Sequence, residues 1–381
     1  MASIGEDALH LHKEKKGKIE TKGKVDLSKR GNLALAYTPG VGAVSTYLAE
    51  HPEEAGKYSV KGNSVAVVSD GSAVLGLGNI GPYGALPVME GKALIFKEFA
   101  GIDAWPIVLG TQDPDEIVAA VKAIAPSFAG INLEDIAAPK CFEIERKLIE
   151  ELDIPVMHDD QHGTAIVVLA GLINAAKVVG KKLETLRVVI SGAGAAGTGT
   201  AHLLHVASIL DIVMLDRKGA IHHGRDDLND EKKALLAYTN PENRKGSRSD
   251  VLSGADVVIG LSGPGLMSAA DVRTMAADPI VFALSNPVPE IMPEEARAGG
   301  AAVIATGRSD FPNQINNALV FPGVFRGALD NGIRRITDDM KISAARALAS
   351  LVSIPTKDTI IPDLFDSKVV PAVATAIVET T

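Results

Sequence analysis

Residues 131–164 read INLEDIAAPKCFEIERKLIEELDIPVMHDDQHGT, and their reading decides the fold. Two short apolar runs, 128–133 and 154–157, have the length and composition of buried strands. Between them Cys141, Ile144, Leu148 and Leu152 recur at helical spacing, and Pro139 suits the first helical position. The whole is a βαβ unit with parallel strands. Parallel strands share a carboxyl edge, and an acidic pair follows each of these two: Glu134 with Asp135, and Asp159 with Asp160. Four carboxylates at one edge repel unless a cation sits among them, and an all-oxygen set suits a hard divalent ion, Mg2+ or Mn2+. The plainer alternative is that the acids cap helices and face water.

Toward the amino terminus the same alternation predicts strands at 65–68 and 105–109 and helices at 86–99 and from Pro114. Asp113, Pro114, Asp115 and Glu116 are an N-cap, a first-position proline and two dipole-matched acids. On the helix at 86–99, Lys92 falls within the stripe of Val88, Ile95, Phe96 and Phe99. Burial lowers a lysine pKa toward the range of a general base, whereas a snorkelling lysine would keep its head in water. Gly76, Gly78 and Gly81 fit GxGxxG, yet Pro82 follows and no acid ends a strand about 20 residues on, so this reads as a tight loop. Residues 13–30 read as a solvated lysine-rich arm. Tyr37, just before Pro39 and Gly40, is a phenol at the end of an element.

Toward the carboxyl terminus a long apolar helix after Asp160 serves as the hinge into a second half, and His162 reads as a cap or core histidine. A buried strand at 186–190 then meets Gly192, Gly194, Ala195, Ala196 and Gly197 (GAGAAG), an apolar helix, and a strand at 211–215 closed by Asp216. Asp216 lies about 24 positions beyond Gly192, near the roughly 20 of a dinucleotide fingerprint. The glycines let backbone approach a pyrophosphate, and Asp216 can accept from the adenosine ribose. Arg217 and Lys218 could accept a 2′-phosphate, which leaves NAD and NADP both open. Further strands fall at 256–261, 280–284 and 302–305. Asn286, Asn316 and Asn317 stand at strand ends or turns, where an amide binds a carboxylate or simply shapes the turn. The last 40 residues read as two helices, the final one apolar enough to require a partner surface.

The predicted fold is therefore α/β in two domains: 1–160, with a mainly parallel sheet and the acidic pairs, and 161–381, a Rossmann-type half with C-terminal helices. A net charge of −9 argues against nonspecific nucleic-acid binding. A single cysteine, Cys141, forbids an intrachain disulfide and suits a reducing compartment. No secretory leader and no stretch of about 18 apolar residues is expected, so the protein is read as cytoplasmic, with no membrane partner.

LALAYTPGV, VSDGSAVLGLGNIGPYGALPVMEGKALIFKEFAG, the stretch quoted above, ISGAGAAG, FALSNPVPEI and ATGRSDFPNQINNALVFPGVF together resemble malic enzymes of the short prokaryotic type. The resemblance implies oxidative decarboxylation of L-malate to pyruvate and CO2 with NAD or NADP and Mg2+ or Mn2+, in a homodimer or larger assembly. It implies Glu134, Asp135 and Asp160 as metal ligands with Asp159 tuning the site. It makes Lys92 the general base, Tyr37 the acid that protonates enolpyruvate, and Asn286 and Asn317 substrate contacts, Asn286 also near the nicotinamide. Where larger relatives carry a carboxylate-clamping arginine this chain has Ala73; its replacement stays open, with Arg308 of the ATGRSD loop as a candidate. Three other readings stand beside this one: a malolactic enzyme releasing lactate, a different dehydrogenase of this architecture, which would have no need of the two acidic pairs, and a non-catalytic NAD-binding regulator.

Overall fold

In the computed structural model, which describes residues 4–74 and 76–378, two sheets flank one long helix. The first sheet contains β1 (Ser64–Ser69), β2 (Asp103–Val108), β3 (Gly130–Leu133) and β4 (Val156–His158), in the order β2-β1-β3-β4 with every pair parallel. β1, β3 and β4 are buried throughout, as expected of parallel strands covered on both faces. Their carboxyl ends stand side by side, so Glu134 follows β3 at the edge where Asp159 follows β4. The expected helices are present as Gly81–Ala100, Pro114–Ile124 and Lys140–Glu151. Asp113 caps the second, accepting from the amides of Asp115 and Glu116. Pro139 takes the N-cap of the third, one position before the expected one.

The second sheet runs β10-β9-β8-β5-β6-β7, from β5 (Arg187–Ser191), β6 (Asp211–Asp216), β7 (Gly219–Ala220), β8 (Val257–Gly260), β9 (Ile280–Ala283) and β10 (Val303–Thr306). All pairs are parallel except the short β7 against β6, which periodicity did not reveal. The chain leaves β5 toward β6 on one side and later reaches β8 on the other. The crevice between β5 and β8 is therefore the switch point at which open α/β sheets bind ligands.

The connecting segment is the expected long apolar helix, Asp159–Val178, with Ala165 through Leu172 all buried. The helix Phe321–Asp330 returns to the first sheet: Phe96 meets Phe321 at 4.7 Å and Phe325 at 5.5 Å between ring centroids. Phe96 is wholly buried, so its truncation to alanine costs about 3–5 kcal/mol. The final helix, Val369–Ala376, finds its surface within the chain, with Val373 against Gly323. By contrast the amino-terminal helices Ile4–Lys15, Arg30–Ala36, Val41–Glu50 and Ala55–Tyr58 bury no residue. No helix among the described residues is long and apolar enough to cross a membrane.

Candidate active site

Lys92 projects from the inner face of Gly81–Ala100 and is 7% exposed. Its ammonium pairs with Glu134 and with Asp159, and lies 4.5 Å from the centroid of the Phe321 ring. Asp159 is wholly buried behind it. Asn132, on β3, donates to Glu134 at 3.1 Å. Asp135 has φ 52°, and in that turn its amide donates to Asp160 Oδ2 at 2.8 Å. Glu134, Asp135 and Asp160 thereby bring one oxygen each to within 4.8 Å of one another.

Burial raises all three neighbouring acids, against the pull of Lys92: Glu134 and Asp159 to about 7, and Asp160, open to the cavity on one side, to about 6. For Lys92 itself the expectation of a lowered pKa is overturned. Burial does lower it, but Asp159, Glu134 and Asp160 outweigh that and push it upward. One lysine cannot neutralise three buried acids and the half-buried Asp160, and a compact all-carboxylate donor set fits a hard divalent cation.

The fit has a measurable consequence. Acids whose folded pKa is raised from an unfolded value near 4 cost stability as pH climbs from about 4 to about 7, because only the folded state resists ionising them. A cation that needs the ionised forms reverses this. Mn2+ is thus expected to raise Tm more at pH 8 than at pH 5.5, by an increment worth about 2.7 kcal/mol at a hundredfold excess over Kd. Thermal melts with Mn2+ and with EDTA check it, and equal shifts at both pH values would oppose it.

The corner bearing Asp159 and Asp160 is held from below by Glu145. This buried carboxylate accepts from the His158 amide at 2.7 Å and the Gln161 side chain at 2.9 Å, and contacts His162 Nε2 at 3.0 Å. Burial would raise its pKa, but His162 and His158 hold it at about 2. His162 is accordingly a partner of Glu145, in keeping with the core-histidine reading. Glu145 was missed in the sequence although it lies in the stripe of Cys141, Ile144 and Leu148.

Across the cleft, Gly192 follows β5 with φ 124°, and a Cβ there would stand 2.4 Å from Leu261 O; one on Gly197 would stand 1.9 Å from Gly192 O. Only glycine permits this turn, from which the helix Ala195–Val206 departs with Gly194 as its N-cap. At the end of β6 the Asp216 carboxylate is occupied by Arg225 at 2.8 and 3.0 Å and by Lys232 at 2.6 Å. Burial is outweighed by these cations, and its pKa falls to about 2.

One cavity of about 610 Å3 joins the halves. Lys92, Glu134, Asp135 and Asp160 line it from the first sheet; Ala196, Asn286 and Asn317 line it from the second. The loop bearing Gly76 closes one wall, packed so tightly that a Cβ would stand 2.1 Å from Asn286 O. The GxGxxG decoy thus shapes the cavity from the substrate side. Three expectations fare differently. Arg308 turns away from the cavity, pairing with Asp310 and donating to Pro287 O, because the adjacent acid offers a closer counter-ion. Lys18, assigned to a solvated arm, instead lines the cavity with Nζ donating to Pro87 O at 2.6 Å. Tyr37 does not line it and is 64% exposed at the end of Arg30–Ala36.

A dinucleotide-type sheet facing a carboxylate and lysine centre across one cavity defines an α/β oxidoreductase of the nicotinamide class. Residues 161–381 match the family described as malic enzyme, NAD binding domain, and residues 16–149 match malic enzyme, N-terminal domain. The chain is 58% identical to the NAD-dependent malic enzyme of Geobacillus stearothermophilus, over 95% of this chain and 76% of that one. It is 55% identical to the bifunctional malic/malolactic enzyme of Bacillus subtilis, over 98% and 92%. The crystal structure of the NAD-dependent malic enzyme from Thermotoga maritima superposes with a TM-score of 0.94 at 49% identity, covering 97% of this chain and 98% of that one. The chain belongs to the malic enzyme family.

Proposed function

We propose that this chain oxidatively decarboxylates L-malate to pyruvate and CO2 with NAD+ or NADP+, using residues 1–160 for substrate and metal and 161–381 for nucleotide. The observation that carries the reading is the single cavity lined by Lys92, Glu134, Asp135 and Asp160 on one side and by Ala196, Asn286 and Asn317 on the other. Glu134, Asp135 and Asp160 hold Mg2+ or Mn2+, which when bound supplies positive charge among the carboxylates and Lewis acidity toward the substrate C2 oxygen. With Glu134 and Asp160 so engaged, two of the three acids that hold the proton on Lys92 would pull on it less, and Nζ in its neutral form takes the C2 hydroxyl proton. The turn at residues 192–197 and Asp216 would hold NAD+ or NADP+, whose nicotinamide would supply the acceptor for the C2 hydride. Asp159 keeps Lys92 in place. Loss of the carboxylate β to the new carbonyl as CO2 leaves enolpyruvate, and the Tyr37 phenol gives the proton that forms the methyl C–H bond, then recovers one from water. Asn286 and Asn317 donate amide hydrogens to substrate oxygens without adding charge.

Lys18 replaces the arginine that Ala73 lacks: with Lys92 it is one of two cationic side chains lining the cavity. Lys18→Ala is expected to raise KM for malate about tenfold, the cost of one charge-assisted hydrogen bond, with little change in kcat. Steady-state kinetics with malate varied decide it, and an unchanged KM would remove Lys18 from the site. At the nucleotide end, a ribose 2′-hydroxyl meets the Asp216 acceptor, whereas a 2′-phosphate meets Arg225 and Lys232.

Absorbance of reduced nicotinamide tests the whole reading, with L-malate and Mn2+, NAD+ and NADP+ in parallel, EDTA as control, and pyruvate assayed at the end. Metal-dependent reduction with stoichiometric pyruvate is expected. The name of the Bacillus subtilis relative motivates one second reading, in which malate yields lactate with no net reduction. Neither product with either nucleotide would sink both.

A further inference from the structure

We propose that His158 is the outer partner of the metal ligand Asp160: a buried network fixes its imidazole as the Nε2–H tautomer and aims that hydrogen at Asp160 Oδ2, which orients the carboxylate for the ion. The proposal rests on the reading of Asp160 as a ligand. It makes His158 a positioning residue, since its side chain does not line the cavity.

His158 ends β4 immediately before the acidic pair and is wholly buried. Two neighbours hold it. Glu145 accepts from its backbone amide at 2.7 Å, and Gln161 Nε2 stands 3.2 Å from its Nδ1. The direction of that second bond follows from the atoms around it. Glu145 is ionised and can only accept, so the Gln161 atom 2.9 Å from Glu145 Oε2 is the amide nitrogen. The same nitrogen faces His158 Nδ1, and an amide nitrogen offers only hydrogens. Nδ1 therefore accepts, and the single ring hydrogen is on Nε2. A ring with hydrogen on both nitrogens would set two hydrogens against each other at Gln161.

His158 Nε2 is buried and makes no hydrogen bond of its own among the described residues. A buried N–H without an acceptor is costly, so what it faces matters. That atom is Asp160 Oδ2 at 3.5 Å, which also accepts from the Asp135 amide at 2.8 Å. Two donors thus converge on one oxygen of the carboxylate, and a charged acceptor strengthens each bond. Ligating carboxylates are commonly oriented by outer hydrogen bonds of this kind.

Calorimetric titration of Mn2+ into the EDTA-treated chain tests the proposal. His158→Phe keeps a ring in the buried site and removes the N–H, whereas His158→Gln returns an amide N–H near the position of Nε2. The phenylalanine variant is expected to bind Mn2+ about 10–100-fold more weakly and to lose far less in kcat once saturated with it. The glutamine variant is expected to recover most of the affinity. Wild-type affinity in His158→Phe would overturn the proposal, and so would equal weakening in both variants, which is the mark of lost packing. Asp160→Asn is titrated beside them. If it binds Mn2+ as the wild type does, the ligand reading falls and the proposal with it; a weakened Asp160→Asn beside an unaltered His158→Phe removes His158 alone. Should the variants fail to fold, nitrogen NMR of the 15N-histidine-labelled wild type decides: the ring of His158 is expected to be neutral with its hydrogen on Nε2, and a hydrogen on Nδ1 would overturn the proposal.

Discussion

Lys92→Ala is expected to lower kcat for malate oxidation by about 10³-fold, within the range of a lost general base. The same change shifts the pH dependence of folding. Lys92 is the cation between Glu134 and the wholly buried Asp159, and removing one partner of a buried pair costs about 3–5 kcal/mol when the survivor stays charged. Both acids already sit near pH 7, so without the ammonium they keep their protons to higher pH. The variant should therefore melt close to wild type near pH 6 and well below it near pH 8. Lys92→Arg keeps the charge but cannot release a proton at neutral pH, and should restore the melt at pH 8 without the rate. A rate recovered by arginine would show that Lys92 serves only as a fixed charge.

Asp135→Asn separates the metal from the turn that presents it. The residue has φ 52°, a left-handed conformation that asparagine tolerates almost alone among substitutes, so the turn survives and one negative charge is removed. Asparagine keeps the amide that donates to Asp160. Mn2+ binding is expected to weaken by about 100-fold or more, since outer partners of metal ligands are themselves worth 10–100-fold. The rate should fall with it and return in part at high Mn2+. Calorimetric titration of Mn2+ on the variant measures the first expectation directly, and wild-type affinity would exclude Asp135 as a ligand.

What residue order determined is what local chemistry can reach. The βαβ reading of 131–164 placed the acidic pairs at one sheet edge, because apolar runs and 3.6-residue spacing fix which ends of parallel strands coincide. Gly192, Gly197 and Asp216 announced the dinucleotide sheet, since backbone closeness there tolerates no Cβ. The stripe on Gly81–Ala100 pointed Lys92 inward. Tertiary structure decided the rest, for reasons that act through space. The charge of Lys92 depends on which acids surround it, and three of them overrode the burial that its stripe implied. Arg308 was lost to Asp310, two positions away, and Lys18 was singled out from a run of similar lysines only by Pro87 lying within reach. Tyr37 shows the limit most plainly. Its motif names a role, but whether a phenol meets its substrate depends on where the arm that carries it packs, and the helices of that arm bury no residue.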